Sequence, residues 1–407
     1  MLLSDLYPPV IGGIELHVRN LARGLSARGH QVSVVTMHHA GQPFQERDGD
    51  VVIHRLRGTI HRADQAYDDT GRRYAPPFPD PELARSLWSV IRAERPELVH
   101  GHNWLTRSFL PLKRASGARL VATLHDYGLI CAKRSLVYRD GICEGPQLMK
   151  CLGCASRHYG TSKGMAVTLG TLGTGPIERR SVDLYLPVSN AVARHSRLEI
   201  DRAPYEVIPN FVPDDVALVP LGTAGGSNSH LLAEPYILYV GALTEHKGLP
   251  ILLEAYARLR AAPPLLLMGT RWPGSPTSFP EGTTVLTDVP HVDVMRAWQG
   301  SLFGVVPSTF PDPCPTVAME AMASGKALVA SATGGLPDLV DDGETGLLVP
   351  PGSVGALAAA MQRMLDDPDG AERFGQAGLR KVADFMSSGV VSRVELAYRR
   401  ALASPPT

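Results

Sequence analysis

Apolar and polar residues alternate along this chain with two different periods. In the first half, short apolar runs with the length of buried strands stand at 31–36, 51–54, 98–100, 120–124 and 184–188. Amphipathic stretches separate these runs. Within 15–29, for example, Val18, Leu21 and Leu25 fall on one face because their spacing matches the helical period. Strands that alternate with helices in this way are typical of α/β proteins with parallel sheets.

The second half of the chain repeats this rhythm. Its strand-like runs stand at 236–241, 265–268, 284–287, 302–306, 327–330 and 346–349. A segment of small and polar residues, 221–230, separates the two series and has the composition of a flexible linker. The sequence therefore predicts two Rossmann-like domains, 1–212 and 235–388, with a linker at 213–234 and a helix-like segment at 389–407.

Chain length and net charge restrict the number of domains and the kinds of partner that this protein can have. A chain of 407 residues can form two or three domains with their own cores, and its forty Lys and Arg balance forty Asp and Glu. Without a net positive field, nucleic acid is not an expected partner. No uncharged stretch is continuously apolar over a membrane span, and no basic and apolar leader begins the chain. We therefore expect a cytoplasmic protein without a transmembrane segment, and peripheral contact with a membrane stays open.

The first predicted strand is short. The apolar residues before Asp5 make only about half of a usual strand. A start site upstream of Met1 would explain this length.

Two motifs in the first half carry candidate chemistry. Gly12 and Gly13 precede the helix at 15–29, where N–H groups at the helix N-terminus can bind an anion and the missing side chains let a ligand approach. A tight strand-to-helix turn is the alternative. His125 follows the strand at 120–124, at the strand end where open α/β sheets bind ligands. Its imidazole could donate a hydrogen bond to a sugar hydroxyl, with a structural role as the alternative.

Lys247 lies in a glycine-containing segment, 241–248, that follows the first strand of the second half. An ammonium group at a helix start adds to the positive end of the helix dipole and suits a diphosphate ligand. A solvent-facing lysine is the alternative.

A longer string, 307–325, follows the strand at 302–306 and runs into a helix. It carries two carboxylates eight positions apart, Asp312 in the loop and Glu320 on the helix. These could bind different hydroxyls of one nucleotide sugar, while the amides of Thr316 and Val317 face its phosphates. Two surface acids are the alternative from spacing alone.

Taken in order and spacing, these motifs resemble a known family over nearly the whole chain. The matching segments are Gly12–Gly13, 188–189, 207–210, 241–248, 320–331, 334–338 and 343–349. They resemble the retaining nucleotide-sugar glycosyltransferases of family 4, which have the GT-B architecture. The resemblance implies an α/β fold with two Rossmann-like domains that face each other across a cleft. It also implies that the helix in 389–407 packs back on the first domain.

The resemblance assigns roles to particular residues. It implies that Gly13 faces the donor diphosphate, His125 the transferred sugar, Lys247 the diphosphate, Asp312 the sugar hydroxyls and Glu320 the ribose. The expected catalytic residues are His125, Lys247 and Asp312. The expected donor-binding residues are Gly12, Gly13, Lys247, Asp312, Cys314, Thr316, Val317 and Glu320.

The implied reaction moves a sugar from a nucleoside-diphosphate sugar to an acceptor hydroxyl on a glycan, a lipid-linked sugar or a natural product. The acceptor attacks from the leaving-group face, and the departing phosphate oxygen takes its proton. This chemistry needs no protein nucleophile, no catalytic metal and no other cofactor.

The chain departs from the family pattern near the expected diphosphate site. Ala242 stands where the family usually has an Arg, so one of two phosphate-binding cations is missing, and Arg271 or His246 could partly replace it. Asp312 stands in place of the usual Glu, which shortens the reach by one methylene. Pro313 and Pro315 remove amide donors. A catalytically weakened subunit that binds a nucleotide sugar is therefore one alternative function, and a nucleotide-sugar 2-epimerase of the same architecture is another.

Four of the five cysteines are crowded into a predicted insertion, 131–160. They are Cys131, Cys143, Cys151 and Cys154. Four thiolates with glycines between them suit a tetrahedral structural zinc site, although only one pair has CxxC spacing. Small buried residues or a redox pair are the alternatives.

Overall fold

The computed structural model describes residues 1–10, 12–62, 74–139, 141–218 and 234–404. Contacts divide the chain into two compact units: unit 1 comprises Met1–Pro209 and Ser387–Thr407, and unit 2 comprises Asn210–Met386. The segment 221–230, on which the predicted linker rests, lies outside the described residues. Each unit contains one parallel or mostly parallel sheet with helices.

Unit 1 is built on a seven-stranded sheet. The seven strands of this sheet are β1 (Leu2–Leu3), β2 (Ser33–Met37), β3 (Gln45–Asp48), β4 (Val51–Leu56), β5 (Leu98–Gly101), β6 (Arg119–Leu124) and β9 (Leu184–Pro187), and unit 1 also contains β7 (Val137–Tyr138) and β8 (Gly141–Ile142). The order across the sheet is β3-β4-β2-β1-β5-β6-β9, and only the pair of β3 and β4 is antiparallel. β7 and β8 form a separate hairpin in the predicted insertion.

The helices of unit 1 follow the strands along the chain. They are α1 (Gly13–Ala27), α2 (Pro81–Glu94), α3 (Leu105–Phe109), α4 (Lys113–Ser116), α5 (Leu148–Tyr159), α6 (Thr161–Ser181) and α7 (Asn190–His195), with 3-10 turns at Thr59–Arg62 and Leu110–Leu112. Local chemistry sets some of these starts. The Asp80 carboxylate accepts the N–H groups of Glu82 and Leu83 and so caps α2, where Pro81 occupies the first helical position.

Unit 2 is built on a six-stranded parallel sheet. Its strands are β10 (Tyr236–Val240), β11 (Leu265–Met268), β12 (Thr283–Leu286), β13 (Ser301–Val306), β14 (Leu328–Ser331) and β15 (Gly346–Val349). Its helices are α8 (Leu249–Tyr256), α9 (His291–Gly300), α10 (Thr316–Ala323), α11 (Leu336–Leu339), α12 (Val354–Asp366) and α13 (Pro368–Lys381), with a 3-10 turn at Val382–Phe385. The order across the sheet is β12-β11-β10-β13-β14-β15.

Both sheets have the doubly wound order of a Rossmann fold. In each, the chain starts at a central strand, adds strands to one side, and then crosses to add three to the other. The first side holds β2, β4 and the edge strand β3 in unit 1, and β11 and β12 in unit 2. The order reverses between β1 and β5 in unit 1 and between β10 and β13 in unit 2. Ligands of open α/β sheets bind at the carboxyl ends of the strands beside this reversal. The fold therefore defines one candidate ligand-binding edge in each unit.

The last helix, α14 (Ser387–Ala403), belongs to unit 1. The Tyr398 hydroxyl lies 2.6 Å from Nδ1 of His100, and Arg28 Nε donates to Glu395 Oε2 at 2.8 Å. Val391 packs against Gly24 of α1, where an added Cβ would come within 3.0 Å of its side chain. The helix is thus held by a partly buried hydrogen bond, an ion pair and apolar contact.

Most strand boundaries agree with the hydrophobic pattern to within two residues, and two segments are informative exceptions. β3 was not predicted, because its residues QERD are polar and partly exposed at the sheet edge. The short β1 lies between β2 and β5 and pairs with both, so its two buried leucines are sufficient for a central strand. Among the described residues, no helix has the length and hydropathy needed to span a bilayer. The cytoplasmic location stays a prediction.

A buried ion pair joins α3 and α6 of unit 1. Arg107 is fully buried, and its Nε donates to Glu178 Oε2 at 2.8 Å. Its other nitrogens donate to the carbonyl oxygens of Pro77 at 2.8 Å and Gly128 at 3.2 Å. A buried charge that loses its partner is strongly destabilising, because neither water nor a counterion replaces the lost interaction.

We expect Arg107→Met to lower the free energy of unfolding by about 3–5 kcal/mol, because it leaves the Glu178 carboxylate buried without its cation. Urea unfolding measures the change. Arg258→Met is the matched control, since Arg258 pairs with Glu254 at 2.6 Å on an exposed surface and should cost at most about 1 kcal/mol. Adding Glu178→Gln to Arg107→Met should recover part of the loss. Equal effects of Arg107→Met and Arg258→Met would contradict the assignment.

Candidate active site

The glycine pair of unit 1 lies at the start of α1, on the loop that follows β1. Gly12 is the extended residue before the helix, and no described side chain caps this end. The first helical hydrogen bond runs from the Leu16 N–H to the Gly12 carbonyl at 3.1 Å. The N–H groups before Leu16 therefore have no acceptor within the helix. A Cβ on Gly13 would meet no described atom within 4 Å, so the end of the helix is open to a ligand.

His125 lies on the loop after β6 and is 7% exposed. Its Nε2 is 3.0 Å from Nδ1 of His102, which follows β5, and its ring centroid is 4.7 Å from that of His17 on α1. Burial and the neighbouring imidazoles hold the pKa values of His17 and His102 well below the usual range. Neither of these two histidines was predicted from the sequence. Only their positions could have indicated them: His102 follows the end of β5, and His17 lies on the first turns of α1.

In unit 2, the structure brings two predicted catalytic residues into contact. Lys247 lies on the loop after β10, and its Nζ is 2.5 Å from Oδ2 of Asp312, which lies on the loop after β13. Asp312 is buried, whereas the Lys247 side chain is about one-third exposed and its ammonium stands 5.1 Å from the Phe310 ring centroid. The reversal of strand order between β10 and β13 makes this contact between distant residues.

Close backbone approach holds both loops in position. Gly248 has φ +76°, and a Cβ there would lie 1.8 Å from the carbonyl oxygen of Pro307. Gly334 has φ +60°, and a Cβ there would lie 2.1 Å from the carbonyl oxygen of Asp312. The next residue, Gly335, donates its N–H to that same oxygen at 2.8 Å. Only glycine satisfies both the backbone conformation and the available space at Gly248 and Gly334.

The helix α10 begins four residues after Asp312. No described side chain caps it, because the residue before it is Pro315. The amides of Thr316 and Val317 thus point out of an uncapped helix N-terminus, which favours an anion. Cys314 is buried in the same loop, and its carbonyl oxygen accepts the Asn210 side-chain amide at 3.0 Å. Burial raises the pKa of the Cys314 thiol to about 12, so the thiol stays protonated near neutral pH.

Glu320 lies on α10 and has a partner that no sequence pattern predicted. Its Oε1 is 2.9 Å from Nε2 of His291, the first residue of α9. This hydrogen bond and the charge of Glu320 raise the pKa of His291. His291 can therefore orient the carboxylate that is predicted to bind the ribose. No motif could have revealed this pair, because the two residues are joined only by the packing of α9 on α10.

The loop that carries Ala242 in place of the expected arginine lies beside another arginine, Arg271. The N–H of Leu243, next to Ala242, donates to the Thr270 carbonyl at 3.0 Å, and Arg271 is the following residue. Arg271 is exposed, and its Nη1 donates to the Pro276 carbonyl at 3.1 Å. Of the two predicted replacements for the missing cation, Arg271 thus lies on a loop that contacts the 242–243 backbone. His246 lies near Phe310, with ring centroids 6.4 Å apart.

The cysteines of the predicted insertion lie on three elements. Cys131 follows β6 by seven residues, Cys143 follows β8, and Cys151 and Cys154 lie on α5. All four are free and partly exposed. A four-thiolate zinc site needs sulfur atoms about 3.8 Å apart. Among the described residues, no three of these thiols form a group within 4.8 Å. The sulfur atoms are not arranged for zinc in this structure, and the zinc hypothesis stays a prediction.

Comparison with known proteins identifies the family. The model described as Glycosyltransferase Family 4 matches residues 11–216, and the model described as Glycosyl transferases group 1 matches residues 234–367. The chain therefore belongs to glycosyltransferase family 4, and it is a glycosyltransferase.

Relatives and solved structures agree with this assignment. D-inositol 3-phosphate glycosyltransferase of Corynebacterium diphtheriae is 30% identical and covers 95% of this chain and 89% of its own. Glycogen synthase of Mycobacterium tuberculosis is 26% identical, and the match covers 95% of this chain and 90% of the synthase. The structure of Anabaena HepE in complex with UDP-glucose is 16% identical, covers 98% of each chain and has a TM-score of 0.68. The fold is GT-B, with two Rossmann-like units. The family assignment makes the chain a glycosyltransferase, which favours transfer over the binding-subunit and epimerase alternatives.

A buried carboxyl group lies beside the glycine loop, at the end of β1. Asp5 is fully buried, and its Oδ1 accepts the Leu105 N–H at 2.7 Å. Burial raises the pKa of Asp5 to about 7, although the charge of Arg134 partly opposes the shift. A raised carboxyl pKa means that, between the unfolded and folded pKa values, the unfolded chain releases this proton and the folded chain keeps it. Its contribution to stability therefore falls as the pH rises through that window.

We expect the free energy of unfolding of Asp5→Asn to rise relative to that of the unchanged protein as the pH rises. The neutral amide has no charged form, so the difference in free energy of unfolding should grow by about 2 kcal/mol between pH 5 and pH 6.5. Urea unfolding of both proteins at these two pH values measures it. Other titrating groups are shared by both proteins and cancel in the difference. A difference that does not change with pH would contradict the raised pKa.

Proposed function

We propose that this glycosyltransferase moves a sugar from a nucleoside-diphosphate sugar to an acceptor hydroxyl and retains the anomeric configuration. The observation that carries the proposal is the contact between Lys247 and Asp312 at the reversal of strand order in unit 2. The UDP-glucose complex of HepE, which shares the fold, supports a nucleotide-sugar donor.

The charges in unit 2 suit a departing diphosphate. As the bond from the sugar to the diphosphate breaks, negative charge grows on the leaving oxygen, and a fixed positive group nearby lowers the barrier. Lys247 supplies one such group, and the uncapped N-terminus of α10 supplies another through the amides of Thr316 and Val317. The proposed chemistry thus draws its positive charge from the protein. Arg271 is a further cation on a neighbouring loop.

Donor binding would rearrange the pair. Without a ligand, the Asp312 carboxylate neutralises Lys247 at 2.5 Å. A diphosphate carries more negative charge than one carboxylate, so Lys247 would turn toward it. Asp312 would then accept a hydrogen bond from a sugar hydroxyl. The leaving phosphate oxygen takes the proton of the acceptor hydroxyl as the new glycosidic bond forms, so no protein base is needed.

Unit 1 would contribute at its own strand reversal. The start of α1 at Gly13 is open and uncapped by any described side chain, which suits a phosphate oxygen. His125 would hydrogen-bond the transferred sugar. The two relatives named above act on different acceptors according to their names. The proposal is accordingly restricted to an acceptor hydroxyl.

We expect the purified protein to consume one member of a panel of nucleoside-diphosphate sugars with α-linked sugar, and to form an α-linked product. Thermal-shift measurements on the panel select the donor, because a ligand that binds the folded state raises the melting temperature. The one-bond C–H coupling at the anomeric carbon of the product, measured by NMR, then reports its configuration. A β-linked product from an α-linked donor would contradict retention.

We expect Lys247→Ala to lower kcat/KM by at least about 100-fold, which corresponds to about 2.7 kcal/mol of transition-state stabilisation. The reason is the loss of the positive charge that would stabilise the leaving diphosphate. The matched control is Lys381→Ala, because Lys381 also pairs with an aspartate in unit 2, Asp341 at 2.8 Å, but lies outside the site. Initial rates with the selected donor give both values. If the two variants differed by less than about threefold, the diphosphate would bind elsewhere.

A further inference from the structure

Three histidines from separate elements of unit 1 converge at the carboxyl edge of its sheet. His17 comes from α1, His102 from the loop after β5 and His125 from the loop after β6. One ring nitrogen of each lies within 4.8 Å of those of the other two. In the part of the chain that the structure describes, this is the one group of three or more His, Cys, Asp or Glu side chains whose possible metal-binding atoms lie this close together.

The arrangement of the rings suits the binding of one ion by all three histidines. The rings of His102 and His125 are stacked with centroids 5.3 Å apart, and the ring of His17 meets that of His125 edge to face. Nδ1 of His102 lies 3.0 Å from Nε2 of His125. Two nitrogens at that separation, each about 2.1 Å from one ion, would subtend about 90° at the ion. A small movement of His17 would complete a three-nitrogen face.

The burial of the three histidines and an adjoining cavity also suit the binding of one ion. The three side chains are 7%, 3% and 7% exposed. Among the described residues, Nε2 of His102 has no hydrogen-bond partner. A cavity of about 30 Å³ adjoins the group and is lined by His102 and His125. It has room for one water molecule as a further ligand.

A fourth buried histidine close to the group is excluded as a ligand. The ring of His100 is centred 4.1 Å from that of His102. Its Nδ1 is already engaged by the Tyr398 hydroxyl at 2.6 Å, and its Nε2 by the Thr123 hydroxyl at 2.7 Å. His100 therefore supports the site by fixing α14 and β6 and is not counted among its ligands.

We propose that His17, His102 and His125 bind a divalent transition-metal ion of the Zn²⁺ class, with water as a further ligand. Three neutral imidazoles favour Zn²⁺, Co²⁺, Ni²⁺ and Cu²⁺ over Mg²⁺ and Ca²⁺, which prefer oxygen ligands. The site is distinct from the cysteines of the insertion, because its ligands are all nitrogen atoms on the sheet edge.

Metal binding would oppose glycosyl transfer. Under the proposed function, His125 hydrogen-bonds the transferred sugar, and a nitrogen that binds a metal ion cannot also contact a hydroxyl. The bound ion would therefore act as an inhibitor. This consequence rests on the proposed function, whereas metal binding itself does not.

The test uses the full chain without a histidine tag, because a tag would bind the same ions. Titration with Co²⁺, followed by absorption spectroscopy, measures both stoichiometry and ligand type. We expect one equivalent to bind, with visible d–d bands and without the near-ultraviolet thiolate-to-cobalt band that cysteine ligands would add. Mg²⁺ serves as the negative control ion. Zn²⁺ should displace Co²⁺ and remove the bands.

Single variants assign the ligands. We expect His17→Gln and His102→Gln each to weaken Co²⁺ binding at least about 10-fold. The matched control, His30→Gln, changes an exposed histidine of unit 1 that faces Glu395 and should leave binding unchanged. Circular dichroism checks that each variant is folded. If a variant is unfolded, electron paramagnetic resonance of the Cu²⁺-loaded unchanged protein still counts the nitrogen ligands, and three are expected.

Two results would overturn the proposal: no binding above that of Mg²⁺, or a thiolate-to-cobalt band together with fewer than three nitrogen ligands in the Cu²⁺ protein. Activity is a separate readout. Binding of one equivalent with the expected spectrum and no inhibition would uphold the metal site and remove His125 from the sugar contacts of the proposed function.

Discussion

The reversal of strand order at the centre of each sheet is the constraint on which the other features depend. In a parallel sheet, every strand ends at the same edge, and neighbouring strands on the two sides of the reversal send their loops in opposite directions. The loops after β1 and β5 therefore border one open edge in unit 1, and the loops after β10 and β13 border another in unit 2. Lys247, Asp312 and His102 lie on these loops, and His17 lies on the helix that follows the loop after β1, whereas His125 lies on the neighbouring loop after β6.

The two edges have different electrostatic character. In unit 1, four buried groups near this edge are shifted toward their neutral forms: the Asp5 carboxyl has a raised pKa, and His17, His100 and His102 have lowered values. Burial is the main cause in each case, because an ion loses hydration when it leaves water. In unit 2, charge is retained, since the buried Asp312 is paired with a lysine that is partly exposed. Neutral imidazoles suit hydrogen bonds to a sugar, and the lysine of unit 2 suits a diphosphate.

Glycine positions show how motif and packing depend on each other. The segments around Gly248 and Gly334 are recognisable in the sequence as parts of a family pattern. Their physical reason appears only in the fold, because Gly248 meets the backbone of Pro307 and Gly334 meets that of Asp312. Each contact joins residues more than twenty positions apart. A side chain at either place would displace the loop that carries Asp312, far from the substituted residue in sequence.

The sequence by itself determined the elements and the fold class. Buried strands such as 265–268 and 346–349 are apolar because both faces of a parallel sheet are covered, so their pattern predicts them well. The polar edge strand β3 carries no such signal, and it was missed. Motif order also predicted Lys247 and Asp312 as separate candidates. Tertiary structure alone decided that these two residues touch, that His291 holds Glu320 and that three histidines converge. Such contacts depend on which loops and helices the sheet brings together, and no periodicity along the chain encodes a distance between remote residues.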